Sequence, residues 1–280
     1  MNNLRNTKYE IRNPNMSPTT FDLPTARDCA AWSALAYGTG PASQSIRTFL
    51  TAPDTDTRVL VVEQDDGSIA IAFRGTADIR NWLTDADCLR ATLIESLEFG
   101  ACEVHAGFLA AYESIIGPLT AHLRENAALC RDAATPIYVT GHSLGGALAL
   151  LAALELKRQG FNIAQVYTFG QPRVGNAAFK RLYEKSLGDR TYRLVFQEDL
   201  VARVPLLPAW HDPYRHVTGE IFLSSFGNVE TNPSLTRLLA SDLWGLYRAY
   251  RTSKLAGALD PLLDHHIDKY LESLKAAEGN

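Results

Sequence analysis

The chain has 280 residues, of which 46% are hydrophobic and 21% are charged, and its formal net charge is -4. This composition is typical of a globular protein with one sizeable core, so we expect a single domain over residues 25–280 behind an N-terminal arm of residues 1–24. The acidic balance and the lack of a Lys/Arg run argue against nucleic acid as a partner. Neither a transmembrane segment nor a secretory signal is evident, which predicts a soluble chain that is either not exported or already processed.

The order of predicted elements is a hairpin followed by alternating helices and strands. A helix is predicted over 25–38, capped by Thr25 and stopped by Gly38, and strands over 58–64 and 68–75 flank the turn at 65–67. Further helices are predicted over 106–126, 144–160, 176–188, 233–254 and 259–277, and further strands over 136–142, 162–170, 191–199 and 214–223. This order predicts an α/β fold in which helices cover both faces of a mixed, mostly parallel sheet. Functional sites in such sheets collect at the carboxyl ends of the strands.

The four cysteines, Cys29, Cys88, Cys102 and Cys130, stand far apart without metal-binding or redox spacing. Reduced thiols are therefore expected, with a Cys88–Cys102 bridge as the alternative. No His, Cys and carboxylate cluster has ligand spacing, so we expect neither a metal nor an organic cofactor.

A serine lies between glycines in the stretch GHSLG, residues 141–145, after a predicted buried strand and before a long apolar helix. This context is the one that a nucleophilic serine requires, since the sharp turn raises its hydroxyl above the sheet and the helix N-terminus offers N–H groups to an anion. Ser143 is thus the candidate nucleophile, and the Leu144 N–H is a candidate oxyanion donor. A turn that only packs helix on strand is the alternative. A phosphate-binding loop is a weaker one, because the motif lacks its lysine.

Such a serine needs an imidazole base held by a carboxylate, and in this fold class the order is serine, acid, histidine. The strand 191–199 ends in Glu198 and Asp199. We favour Asp199 because its shorter side chain orients a ring more tightly, with Asp212 as a distant third candidate.

The expected order of serine, acid and histidine along the chain leaves two histidines as candidates for the base. Five of the seven histidines precede or adjoin the serine, lie within a helix or flank a strand: His105, His122, His142, His211 and His216. His265 and His266 stand near the last helix. Their spacing alone leaves both open, because adjacent residues point in different directions.

Six motifs in one order resemble the class 3 lipase family, the fungal-type triacylglycerol lipases and their bacterial relatives. They are FRGTADIRNWLTD, VHAGF, GHSLGGALA, TFGQPRVGN, QEDLVARVP and DHHIDKY, and the resemblance runs from about residue 25 to the C-terminus. It implies an α/β-hydrolase fold and a triad of Ser143, Asp199 and His265, with Tyr270 at the family's tyrosine position. His266 falls where the family varies. The acidic motif departs from the family in having Ala202 where proline is common.

The resemblance also assigns the oxyanion hole to Thr76 and Leu144. The physical case is independent, since a loop that leaves the strand 68–75 ends beside the serine turn if the two strands are neighbours. The alternative is a plain turn in which Gly75 only allows a sharp bend.

The segment of about 77–90 carries Ile79, Trp82, Leu83 and Ala86 at helical spacing, which predicts a short amphipathic helix. A surface helix packed on the core is one interpretation. The resemblance implies a lid over an acyl pocket, which suits carboxylic esters of medium or long acyl chains at a lipid–water interface. A soluble carboxylesterase, a feruloyl esterase, a phospholipase and a catalytically silent binding protein with a hydrolase fold are the alternatives.

Overall fold

The computed structural model describes residues 20–38, 47–76, 89–125, 134–197, 199–205, 212–231, 233 and 263–279. Its strands are β1 (Arg47–Ala52), β2 (Thr57–Glu63), β3 (Ile69–Phe73), β4 (Arg90–Ser96), β5 (Gly100–His105), β6 (Ile137–His142), β7 (Ile163–Phe169), β8 (Thr191–Phe196), β9 (Glu220–Leu223) and β10 (Val229–Thr231). Its α-helices are α1 (Leu23–Ala36), α2 (Ala106–Glu125), α3 (Leu144–Arg158), α4 (Ala177–Leu187) and α5 (Ile267–Glu278).

Eight strands form one sheet in the order β1-β2-β3-β6-β7-β8-β9-β10, and β4 and β5 form a separate hairpin. The five strands from β3 to β9 in this order run parallel, whereas β1, β2 and β10 pair antiparallel with their neighbours. The predicted mixed, mostly parallel sheet is confirmed. The carboxyl ends of β3, β6, β7 and β8 therefore meet at one edge, where a site can form.

Alternating side chains bury both faces of this sheet. Ile69 and Ile71 of β3 pack in the core formed with α2, α3 and α4, while Ala70 and Ala72 face a smaller cluster that includes residues of α1. A third cluster joins α1 and α5 to β7, β8 and β9. Because β3 is covered on both sides, all five of its residues are buried. Helices thus cover both faces, as predicted.

Three details of the predicted elements are wrong. The predicted helix 259–277 is α-helical only from Ile267, because the 3-10 turn Leu263–His265 and the extended backbone of His266 come before it. The side chain that caps α1 is Asp22, whose carboxylate accepts from the Thr25 N–H at 2.9 Å, because the helix begins two residues earlier than its apolar spacing suggested. The predicted strand 214–223 is regular only from residue 220. Gly219, at a φ of 90°, lies against the Thr191 carbonyl and bends the chain there, and Arg215 forms only an isolated bridge with Gly175.

Several predictions fall outside the described residues, including the helix 233–254, most of the arm and the thiols of Cys88 and Cys130. Cys29 and Cys102 are buried free thiols. Burial raises the pKa of the Cys102 thiol to about 11, so it remains protonated near neutral pH. Across the described ranges, no helix is both long and apolar enough to cross a membrane. The same ranges contain no group of three or more His, Cys, Asp or Glu residues that could hold a metal ion.

Candidate active site

Ser143 occupies a tight turn between the end of β6 and the start of α3. Its backbone adopts a φ of 60° and a ψ of -130°, which an L-residue rarely adopts. The turn is held because the Ser143 N–H donates to the Phe169 carbonyl and the Ser143 carbonyl accepts from the Gly146 N–H, both at 2.9 Å. Surrounding structure thus maintains a strained conformation, as is common at functional sites.

Two glycines let the strand and helix approach closely beside this serine. A Cβ atom on Gly141 would lie 2.2 Å from the Gly145 carbonyl oxygen, and one on Gly145 would lie 2.1 Å from the Phe73 carbonyl oxygen. Both contacts are with backbone, which has no freedom to move aside. Larger residues at either position would therefore displace the turn that carries Ser143.

The Asp199 carboxylate is fully buried beyond the end of β8 and accepts hydrogen bonds from three groups. Its Oδ2 accepts from His265 Nδ1 at 2.8 Å and from the Tyr270 hydroxyl at 2.5 Å, and its Oδ1 accepts from the Val201 N–H at 2.9 Å. Burial and then the Asp199 charge raise the pKa of Tyr270 well above its ordinary value, so the phenol stays protonated and donates. These bonds compensate for the cost of burying the carboxylate.

The other acid and base candidates are placed differently. His265 closes a 3-10 turn and is 5% exposed, whereas the neighbouring His266 is exposed at the N-cap of α5. Asp212 accepts from the Ala177 N–H at 3.3 Å, at the start of α4. Glu198 lies outside the described residues. The structure therefore brings His265, not His266, into contact with Asp199.

The hydroxyl of Ser143 and Nε2 of His265 are both buried, and neither has a hydrogen-bond partner among the described residues. The segments that carry them adjoin, since the ring of His142, the residue before Ser143, lies 4.5 Å, centroid to centroid, from the ring of His265. Catalytic hydrogen bonds are often long or misaligned before substrate binds. Two buried unpartnered groups on adjoining segments are the arrangement that a proton transfer between them requires.

The loop after β3 lies beside the serine turn. β3 and β6 are parallel neighbours, with Phe73 paired to Gly141, so the condition for a loop beside the serine turn is met. A Cβ on Gly75 would lie 3.1 Å from the Cβ of Ser143, and Thr76 follows as a partly buried residue. Leu144 begins α3, where an N–H group has no acceptor within its own helix. Both candidate oxyanion donors thus belong to segments that border Ser143.

Two residues at this site were not singled out from the sequence. Gly170, at a φ of 57°, follows β7 and lies against Asp199 and His265. A Cβ on Gly170 would be 2.5 Å from Asp199 Oδ2. Tyr37, at the end of α1, places its hydroxyl 2.9 Å from His142 Nδ1. The position of Gly170 at a strand's carboxyl end was a usable signal, whereas nothing in the sequence connects Tyr37 with the site.

The predicted lid lies largely outside the described residues. Ile79, Trp82 and Leu83 fall in the range 77–88, which the structure does not describe. Leu89 is exposed, and Arg90 begins β4 and forms an ion pair with Glu103 at 3.3 Å.

The chain is similar in sequence to known lipases. The family model "Lipase (class 3)" matches residues 70–208. The secreted mono- and diacylglycerol lipase A of Penicillium cyclopium is 31% identical over 190 residues, which are 68% of this chain and 59% of that protein. A lipase of Rhizomucor miehei is 33% identical over 218 residues, which are 75% of this chain and 54% of that protein. The matched part of the chain thus spans little more than half the length of these curated relatives.

A solved structure gives the same assignment for the fold. Lipase II from Rhizopus niveus has a TM-score of 0.64 to this chain at 28% identity, with 76% of this chain and 84% of that one covered. The sheet order, the serine turn and the family match point to one conclusion. The chain belongs to the class 3 lipase family and has the α/β-hydrolase fold.

Proposed function

We propose that this protein is a serine hydrolase that cleaves carboxylic esters of medium or long acyl chains, as a triacylglycerol lipase does. Ser143 is the nucleophile, His265 is the general base and Asp199 orients the imidazole. Two observations carry the proposal together. Ser143 Oγ and His265 Nε2 are buried and have no hydrogen-bond partner among the described residues, and the other nitrogen of the His265 imidazole is held at 2.8 Å by the buried Asp199 carboxylate.

The reaction follows from the chemistry of these groups. His265 Nε2 takes the proton of the Ser143 hydroxyl as its oxygen attacks the ester carbonyl, and the N–H groups of Thr76 and Leu144 donate to the resulting oxyanion. The C–O bond to the alcohol breaks, and the alcohol leaves with the proton from His265, which creates an acyl-enzyme. His265 then takes a proton from a water molecule as the water oxygen attacks the acyl-enzyme. The bond from the acyl carbon to Ser143 Oγ breaks, the proton passes from His265 to that oxygen, and the acid is released. No cofactor is needed for either step.

The substrate class rests on the relatives and on the predicted lid. The Penicillium relative is a mono- and diacylglycerol lipase, which supports glycerol esters as the substrates of this chain. An amphipathic segment with Ile79, Trp82 and Leu83 on one face suits an acyl chain or a lipid surface better than small soluble esters. We therefore infer that the ester is presented at a lipid–water interface.

The nucleophile is tested by Ser143→Ala, with Ser33→Ala as the matched control. Ser33 of α1 is also a fully buried serine, but its hydroxyl is hydrogen-bonded to the Thr140 hydroxyl at 3.0 Å. On a chromogenic ester we expect Ser143→Ala to lose at least about 10³-fold in kcat and Ser33→Ala to stay near wild type. A fluorophosphonate should label wild type and Ser33→Ala stoichiometrically but not Ser143→Ala. Wild-type rates for Ser143→Ala would refute the assignment.

The substrate class is tested with short soluble esters, emulsified triglyceride and phospholipid. A lipase should show its highest rate on the emulsion, with a rise as the ester exceeds its solubility limit. A higher rate on short soluble esters or on phospholipid would instead favour an esterase or a phospholipase on the same scaffold.

A further inference from the structure

A chain of hydrogen bonds connects three segments of the site without using any of the reacting groups. The Tyr37 hydroxyl lies 2.9 Å from His142 Nδ1, and His142 Nε2 is hydrogen-bonded to the backbone carbonyl of His265. The backbone N–H of Gly75 donates to the Tyr37 oxygen. The chain thus runs from the loop that precedes Thr76, through α1 and the residue before Ser143, to the residue proposed as the base.

The direction of every bond in this chain is fixed by chemistry. A carbonyl oxygen can only accept, so His142 Nε2 carries a proton and donates it to the His265 carbonyl. Burial lowers the pKa of His142 well below its ordinary value, so the ring is neutral and Nδ1 has no proton. Nδ1 therefore accepts from the Tyr37 hydroxyl, which burial keeps protonated by raising the pKa of that phenol. The Tyr37 oxygen, having donated its proton, accepts from Gly75.

The packing around this chain leaves little freedom. His142 is 5% exposed, and its ring also lies 6.0 Å from the ring of Tyr270, centroid to centroid. A Cβ on Gly75 would lie 2.1 Å from the Tyr37 oxygen and 2.6 Å from the His142 carbonyl, so the loop and the tyrosine are in direct contact. Loss of the Tyr37 hydroxyl would leave a buried ring nitrogen without a donor and would release the Gly75 N–H.

We propose that Tyr37 and His142 are positioning residues, which hold the oxyanion loop and the backbone of His265 in fixed register with Ser143. The proposal deepens the proposed function and rests on it. Their hydrogen bonds go to each other and to the backbone of His265, and neither side chain is hydrogen-bonded to the Ser143 hydroxyl or to the His265 imidazole. Tyr37 acts through Gly75 on the loop that carries Thr76, and its donation to Nδ1 keeps the His142 proton on Nε2, where it is needed to hold His265. The positions of the oxyanion donor Thr76 and of the base His265 thus both depend on the Tyr37 hydroxyl.

The expected effect is on kcat. A displacement of about 1 Å in a catalytic group can lower the rate by about 100-fold, and the loss of one positioning bond allows part of that displacement. We expect Tyr37→Phe to lower kcat by about 10-fold to 100-fold, with KM for a soluble ester changed less than about 3-fold, since binding of the substrate in its ground state does not use this chain.

The experiment compares Tyr37→Phe with Tyr183→Phe. Tyr183 of α4 is also a buried tyrosine, and its hydroxyl is hydrogen-bonded to the Thr191 hydroxyl at 3.0 Å. Each change removes one oxygen atom, so both variants should lose comparable stability in urea unfolding. Only Tyr37→Phe should lose kcat. A purely structural role for Tyr37 predicts equal kcat in the two variants, and that result would overturn the proposal.

A second pair tests His142. The amide of His142→Gln can still donate to the His265 carbonyl and accept from Tyr37, whereas His142→Leu can do neither. We expect His142→Gln to keep kcat within about 5-fold of wild type and His142→Leu to lose about 100-fold. Equal kcat for the glutamine and leucine variants would contradict the hydrogen-bonding role.

Failure of the proposed function has a different signature. If wild type hydrolyses no ester, or Ser143→Ala keeps its rate, the hydrolase assignment falls and this proposal falls with it. If wild type is active, Ser143→Ala is inactive and Tyr37→Phe keeps wild-type kcat, only the positioning proposal is refuted.

Discussion

Gly170 leaves no room for a side chain beside Asp199 and His265, so adding a methyl group there should displace both of them. A Cβ there would lie 2.5 Å from Asp199 Oδ2 and 2.9 Å from both Nδ1 and Cε1 of His265, whereas ordinary contact begins at about 3.4 Å. Gly170→Ala must therefore move the carboxylate by about 0.9 Å and the imidazole by about 0.5 Å. Because a misplacement of about 1 Å can lower a rate by about 100-fold, we expect kcat/KM on a soluble ester to fall by about that factor.

The same substitution also strains the backbone, and the two effects must be separated. Gly170 has a φ of 57°, where a residue with a Cβ costs about 1 to 2 kcal/mol of stability. Gly160, which follows α3, has a φ of 90°, and a Cβ there would meet none of the described residues within 4 Å. Gly160→Ala therefore introduces backbone strain without a contact at the site.

The assay is steady-state hydrolysis of a chromogenic ester together with urea unfolding of both variants. Both should lose stability, and only Gly170→Ala should lose activity. If Gly170→Ala retains the kcat/KM of Gly160→Ala, the acid and base are not held by this contact, or they do not act as proposed.

Two further predictions concern stability. Tyr270→Phe removes the 2.5 Å hydrogen bond to the buried Asp199 carboxylate. Because hydrogen bonds to charged acceptors are stronger than those to neutral ones, the free energy of unfolding should fall by about 1.5 to 3 kcal/mol. A loss below about 0.5 kcal/mol in urea unfolding would contradict this. Burial lowers the pKa of His142 and of His216 well below the ordinary value, so both stay neutral in the folded protein while their unfolded forms titrate near pH 6.5. The stability that the two neutral imidazoles contribute is present above the unfolded pKa and is lost as pH falls. Between about pH 7.5 and about pH 5.5, the free energy of unfolding should drop by about 1.4 kcal/mol per histidine, about 2.8 kcal/mol for both. Unfolding curves at the two pH values measure this, and equal stability at both would be inconsistent with two buried neutral imidazoles.

Elements with a strong local pattern were predictable, and those with a broken pattern were not. The helices α2, α3 and α4 and the strands β2, β3, β6, β7 and β8 were all predicted from periodicity, because each buries a continuous face. β1 was missed because it is an edge strand that exposes side chains such as Phe49. β4 was missed because a register shift between Thr92 and Ile94 interrupts its alternation.

The sequence by itself determined the serine turn. Gly141 is required by a contact with Gly145 inside one strand–turn–helix unit, so this requirement is local in the sequence. Gly145 is required by the Phe73 carbonyl of the neighbouring strand β3, which is distant in the chain. The sequence also determined the sheet's mixed character, since the order of elements along the chain limits which strands can run parallel. The catalytic roles of Ser143, Asp199 and His265 remain predictions to be tested as described above.

Only the tertiary structure decided which groups contact one another across the chain. Spacing left His265 and His266 equivalent, and the 3-10 turn before α5 places the first against Asp199 and leaves the second exposed. Likewise, Tyr37 is 105 residues from His142 in sequence, and the packing of α1 on β6 brings them to 2.9 Å. The physical reason is that a hydrogen bond between distant residues leaves no periodic trace in the sequence, because it depends on the relative placement of packed elements and not on any local preference.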